Sequence, residues 1–158
     1  MTANLPLTVR GKQKLEDELK RLTYTDRPNI IKAIEEARAH GDISENAEYE
    51  AAKERQGMIE GRIMEINGQL AGAEVIDPAS IKSDKVVFGA SVSLKDLESD
   101  EEVTYQIVGV DEADVKAGRI SIMSPLARLL IGKTTGDTVQ LKSPKGEKEF
   151  EIKKFIYR

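Results

Sequence analysis

Cysteine and tryptophan are absent from the 158 residues, histidine occurs once, at His40, and aromatic residues make up only 4%. Without cysteine there are no disulfides, no cysteine-ligated zinc, no iron–sulfur cluster and no thiol nucleophile. A histidine-based zinc site or a serine–histidine–aspartate triad would have to rest on His40 alone. No apolar run approaches the roughly 18 residues that a membrane-spanning helix needs. The stretch from Met1 to Val9 has neither a basic region nor an apolar one of the secretory kind. A cytoplasmic protein, away from membranes, is expected.

Charge is plentiful. Charged residues make up 33% and hydrophobic ones 39%, too apolar and too mixed in sign for a disordered chain. Lys and Arg number 24 against 28 Asp and Glu, a net charge of −4, and the pI is about 5.2. Such a chain is a poor partner for duplex DNA through bulk phosphate neutralisation, although a local basic patch stays open to it.

From Thr8 to Ala73 there is one proline, Pro28, in a segment dense in Glu, Lys, Arg, Ala, Leu and Ile. These are mostly strong helix formers. Thr8 predicts an N-cap, and His40-Gly41 predicts a helix end, with Gly41 in the left-handed position. Helix signals restart at once. Asp42 or Ser44 is the expected cap, and Glu45 follows Asp42 as in a capping box. The second helix is expected to run to about Ala73.

A short turn between two long helices predicts an antiparallel hairpin. If the turn centres near Ser44, equal steps outward pair Ala37 with Ala52, Ile30 with Ile59, Leu22 with Ile66, Leu19 with Leu70 and Leu15 with Ala73. The second arm repeats its apolar residues at heptad spacing. The first arm slips by one residue across Pro28, where a kink is expected. Asp26 opposite Ile63, and Ile34 opposite Arg55, break the pattern. The second arm, about 29 residues at about 1.5 Å each, would reach about 44 Å. A rod so slender builds no ordinary enzyme pocket, but it can carry its turn to a distant place.

The rest reads as a small sheet domain. Val86, Phe88, Ala90, Val92 and Leu94 alternate as in a half-buried strand. Val103-Tyr105-Ile107, Ile120-Ile122, Val139-Leu141 and Phe150 to Tyr157 supply further strands. Ser124-Pro125 opens a short helix that Gly132 ends. The expected fold is α+β: a coiled-coil hairpin over residues 1–76 and an antiparallel sheet domain with a short helix over 77–158.

Two motifs mislead. Gly132-Lys133-Thr134 lacks the earlier glycine of a phosphate-binding loop, because that position is Ala127. Asp111-Glu112-Ala113-Asp114 spells a helicase box without any nucleotide loop, and a solvated helix start is expected there. His40 is expected to be a helix-terminal residue favoured by the dipole.

The turn reads His40-Gly41-Asp42-Ile43-Ser44-Glu45-Asn46-Ala47-Glu48-Tyr49. Asp42 and Glu45 have two readings. One is a capping box. The other is half of a site for a hard divalent cation, which takes oxygen ligands and would need a partner to complete its shell. Arg38, Lys53 and Arg55 lie near, either as ordinary surface charge paired with neighbouring glutamates or as a cationic spot for a nucleic-acid phosphate.

The tip from Gly41 to Tyr49, its continuation Ala51-Ala52-Lys53-Glu54-Arg55-Gln56, the strand Val87-Phe88-Gly89-Ala90 and the stretch from Ser124-Pro125-Leu126-Ala127-Arg128 to Lys133 resemble the bacterial transcript-cleavage (transcription elongation) factors of the GreA/GreB family. With its acidic pI and modest basic spot, the chain resembles the GreA type more than the GreB type. The resemblance covers nearly the whole chain and implies a coiled coil joined to an FKBP-like domain. It implies a monomer that binds bacterial RNA polymerase, enters its secondary channel and meets the RNA 3′ end of a backtracked complex. Asp42 and Glu45 would be the catalytic acids, holding a Mg²⁺ shared with the polymerase. Arg38, Lys53 and Arg55 would contact RNA phosphate. Ser124, Pro125, Leu126 and Arg128 are the expected docking residues. The factor would stimulate the polymerase's own cleavage and would not be an enzyme by itself. The alternatives are a polymerase-binding regulator without cleavage, a coiled-coil prolyl isomerase or chaperone, and a structural adaptor in which the two acids only cap a helix.

Overall fold

A computed structural model describes residues 5–41 and 46–158. It divides into two compact units. Lys12–Ala73 forms the first; the second joins the segment ending at Gly11 to Glu74–Arg158. The expected division after residue 76 therefore shifts, and the start of the chain changes sides. The cause is β1 (Leu5–Thr8), a strand that pairs with β2 (Ala73–Ile76).

The first arm of the hairpin begins as its sequence predicts. Thr8 Oγ1 accepts a hydrogen bond from the Gly11 N–H at 3.0 Å, capping α1 (Val9–Arg21). A five-residue π turn, Leu22–Asp26, follows and leads into α2 (Arg27–Arg38). In that turn the Arg27 N–H donates to the Leu22 carbonyl. Pro28 brings no N–H to the ladder, and the irregularity sits in the turn before it. A π turn absorbs one extra residue. That is the one-residue slip separating the Leu15–Leu22 spacing from the Ile30–Ala37 spacing.

The second arm is α3 (Ala47–Gly72). Leu15, Leu22, Ile30, Ile34 and Ala37 are buried from one side, and Ala52, Ile59, Ile63 and Ile66 from the other. Leu19, Leu70 and Ala73, also expected in the seam, are only partly buried. Ile34 and Ile63 are buried although Arg55 and Asp26 were their expected partners. The π turn resets the register, and Arg55 is left exposed. Two pairs of parallel N–H···O bonds tie the arms across the seam. Arg27 holds Glu60 at 2.9 and 2.8 Å, and Arg62 holds Glu18 at 2.8 Å through both contacts. The Arg62 guanidinium keeps the Glu18 carboxyl below its ordinary range. Half in water, such pairs contribute about 0.2–1 kcal/mol each and serve mainly to set register.

The second unit is built on a five-stranded sheet. Its strands are β3 (Ala90–Asp96), β4 (Glu102–Val108), β5 (Arg119–Ser121), β6 (Thr138–Ser143) and β7 (Gly146–Tyr157), in the order β5-β4-β3-β7-β6. Pairing is antiparallel as expected, except between β4 and β5, where it is parallel. Val92, Leu94, Ile107 and Ile152 are fully buried on one face, together with Ala127 and Leu130 of α4 (Pro125–Leu130). Ser124 Oγ accepts from the Ala127 N–H at 3.2 Å, the predicted cap.

The alternation over Val86–Leu94 misled in one respect. Gly89 has φ +91°, which no strand continues, and β3 begins only at Ala90. Val86 is still buried because it exchanges backbone bonds with Gly132 and Lys133, both 2.8 Å. Glu112 corrects a second expectation. Far from solvated, its carboxyl is buried and accepts from the Thr8 N–H at 3.0 Å, from the Gly109 N–H at 2.9 Å and from the Thr8 hydroxyl. A Cβ on Gly11 would overlap that carboxyl, so glycine is required there.

Candidate functional site at the hairpin tip

Asp42 and Glu45, with Ile43 and Ser44 between them, lie outside the described residues, and so does the capping box expected of them. The residues that flank them are held by specific bonds. α2 ends by stepwise tightening: Ala39 N–H donates to Glu35 O at 3.1 Å, His40 N–H to Ala37 O at 3.2 Å, and Gly41 N–H to Arg38 O at 3.3 Å. Gly41 takes φ +107°, the left-handed value that its position after the helix demands.

On the other side α3 is capped by Asn46, a residue not singled out from sequence beyond its place in the motif. Its backbone is extended and its Oδ1 accepts from the Tyr49 N–H at 3.1 Å. Its amide group donates to the Ala37 carbonyl at 2.7 Å. One side chain thus satisfies an orphan donor of α3 and an acceptor in the last turn of α2. It pins the two arms where the acid-bearing segment leaves and returns. The signal for it was present in the sequence, since asparagine is among the best N-caps, but Asp42 and Ser44 competed for the same assignment. Asn46→Ala is expected to lower hairpin stability by about 1 kcal/mol, measured by chemical denaturation followed through helix circular dichroism. An unchanged midpoint would dismiss the pin.

The basic residues separate into two groups. Arg38 lies over the ring of Tyr49, 5.7 Å from its centroid. Lys53, one turn further along α3, donates to Gln56 at 3.1 Å and adds its field to the same phenol. Arg38, as a hydrogen-bond donor to the phenol oxygen, holds the Tyr49 pKa below its ordinary value. Arg55 stands apart from this pair, lining a shallow groove with Asp26, Asn29, Ile30, Ala33 and Ile59. His40, at the end of the arm as expected, has Nδ1 3.4 Å from the Glu48 carboxylate. Arg38→Met is expected to raise the Tyr49 pKa towards the value of a free phenol. Titration of the tyrosine ring carbons by NMR, with Tyr24 as internal control, checks it, and an unmoved Tyr49 would mean that Arg38 does not act on the ring.

Among the described residues, no three His, Cys, Asp or Glu side chains gather as a metal site would require. No described helix is long and apolar enough to cross a membrane. In the second unit, Pro125 and Arg128 of α4 face solvent beside the exposed Met123, while Ser124 and Leu126 are half-buried and Leu126 packs against the core.

A helical hairpin whose linking segment carries two acids, joined to an α+β sheet unit, defines a two-part factor whose tip is its distinctive feature. Family models cover both parts: the N-terminal model of transcription elongation factors GreA and GreB matches residues 5–75, and the C-terminal one residues 81–157. The chain belongs to the GreA/GreB family of transcription elongation factors. It is 56% identical over 156 residues to the transcription elongation factor GreA of Alkalilimnicola ehrlichii, covering 98% of this chain and 99% of that one. To the GreA of Acidiphilium cryptum it is 60% identical over 147 residues, 93% and 94% of the two chains. The solved structure of the transcription factor Gfh1 is 29% identical, covers 98% of this chain and 99% of its own, and superposes with a TM-score of 0.48.

Proposed function

We propose that this chain stimulates cleavage of the RNA 3′ end in backtracked or arrested transcription complexes, so that elongation resumes. The observation that carries the reading is the tip: two carboxylates, Asp42 and Glu45, in the segment that links the arms of a long hairpin, which Asn46 pins together. α3 alone has 26 residues, about 39 Å at 1.5 Å per residue, which suits delivery of a turn down the secondary channel of RNA polymerase.

The donor set fits a hard cation. Two carboxylates offer oxygen ligands but leave most of the shell of a Mg²⁺ ion unfilled, so the remaining ligands are assigned to the polymerase. When bound, such an ion would supply activation of water for phosphodiester hydrolysis. The chain's own part is to hold two negative oxygens at the reacting centre and, through Arg38 and Lys53 beside Tyr49, to present positive charge to RNA phosphate. Arg55, set apart from that pair, is the weaker member of the proposed phosphate contact. The grip on polymerase is assigned to the second unit, at Ser124, Pro125, Leu126 and Arg128. The site of action is the cytoplasm.

The deciding experiment adds the protein to a stalled, backtracked polymerase complex and looks for shortened RNA that is then re-extended. RNA of unchanged length would overturn the proposal. A companion result is expected with purified protein and free RNA in Mg²⁺: no hydrolysis, because the tip is half of a site. Turnover of free RNA by protein shown to be clear of nuclease contamination would refute the shared-ion assignment.

A further inference from the structure

The second unit has a feature that the hairpin tip does not use. Arg10, Arg119 and Arg158, from three distant parts of the sequence, line one open cleft of about 250 Å³. No Asp or Glu is among its lining residues, in a chain whose net charge is −4. The strand register builds its floor: Ser91 of β3 faces Gln106 of β4, which faces Arg119 of β5, one row across the sheet.

Arg119 is the fixed member. Its side chain is mostly buried, Nε donates to the Glu112 carbonyl at 3.4 Å, and a terminal nitrogen lies 3.7 Å from Asp114. Arg10 and Arg158 are exposed and have no ion-pair partner among the described residues. Ser91 is nine-tenths buried and lines the cleft, yet its hydroxyl has no protein partner among the described residues. That hydroxyl is free to donate to a group seated in the cleft.

We propose that this cleft binds a phosphate-type oxyanion carrying two or more negative charges. Guanidinium forks match the tetrahedral oxygens of phosphate with paired, charge-assisted bonds, and the Ser91 hydroxyl adds a short donor at the floor. Three guanidinium groups, of which only Arg119 has an Asp or Glu partner among the described residues, favour a multiply charged group over a single carboxylate. The ligand is a free polyphosphate or the phosphate end of a small nucleotide. The cleft lies wholly within the second unit, so the inference stands apart from the activity of the tip.

The test titrates the full-length protein with inorganic pyrophosphate at low salt without Mg²⁺, following backbone amides by NMR, with adenosine triphosphate as a second arm. Saturable shifts are expected at Ser91, Gln106 and Arg119. Pyrophosphate alone would identify a free anion as the ligand, and both probes would identify a nucleotide's phosphate end. Arg10→Gln with Arg158→Gln is expected to weaken binding at least about tenfold, the worth of one hydrogen bond to a charged group. Both side chains are exposed, so folding is not at issue. Lys142→Gln with Lys145→Gln, an equal charge change on the β6–β7 hairpin, should leave affinity unaltered. No saturable shifts in the cleft, or equal weakening by the two double variants, would overturn the proposal.

Discussion

Replacing Asp42 or Glu45 with alanine is expected to reduce stimulated RNA cleavage by about 100-fold or more, the upper range for losing even a supporting residue around a metal, while polymerase binding is retained. The reason lies in the division of labour between the two units. Under the proposed function the acids act at the reacting centre and the anchoring contacts belong to the second unit, so removing a carboxylate strips chemistry without stripping grip. If both acids serve one ion, as proposed, they fail as a unit, and the double variant should be little worse than either single one. Asp42→Asn sharpens the test. It keeps the shape and most of the capping ability of the side chain but loses the charge, so an adaptor with a merely capped helix would tolerate it and a metal ligand would not. Cleavage rates and polymerase affinity should be measured on the same preparations. Equal losses of both, or strictly additive losses in the double variant, would contradict the assignment.

Local chemistry was legible in the sequence wherever one short segment decided the outcome. Thr8 and Ser124 cap the helices they were expected to cap, and heptad spacing found the seam. The slip at Pro28 was visible as a change of phase, although the π turn that absorbs it was not, since a prolyl kink produces the same spacing. The tip was legible as a motif. What fixes its flanks was not, because Asp42, Ser44 and Asn46 are all competent caps and only the Ala37 carbonyl, contributed by the other arm, selects Asn46. Pairings that join distant segments stayed hidden altogether. The parallel β4–β5 edge, the Val86 bonds to Gly132 and Lys133, and the pairing of β1 with β2 leave no periodic trace. Nor does the Arg10–Arg119–Arg158 cleft, whose members are spread along nearly the whole chain.

Glu112 is the clearest case of a residue whose role depends on distance, and it yields the largest expected change in stability. Its carboxyl receives two backbone N–H groups and one hydroxyl, with 104 positions separating it from Thr8. Truncation to alanine would leave the Thr8 and Gly109 amides without their acceptor in a site that water does not readily enter. Each such orphan costs about 1–3 kcal/mol, so Glu112→Ala is expected to lose about 3 kcal/mol or more. Glu112→Gln should cost much less. Both backbone donors converge on the single oxygen Oε2, which an amide carbonyl can replace, while the new NH₂ can donate to the Thr8 hydroxyl oxygen. Gly11→Ala should resemble the alanine variant of Glu112, because its Cβ would push into the same carboxyl. The same bonds account for the start of the chain joining the second unit. They imply that a fragment cut at Asp77, without Thr8, is less stable than the same residues in the full chain. Urea unfolding of the three variants, with hydrogen exchange at the Thr8 and Gly109 amides, measures the effect. If Glu112→Ala cost no more than Glu147→Ala, a change at an exposed site on β7, the buried carboxyl would not be holding the N-terminal strand in place.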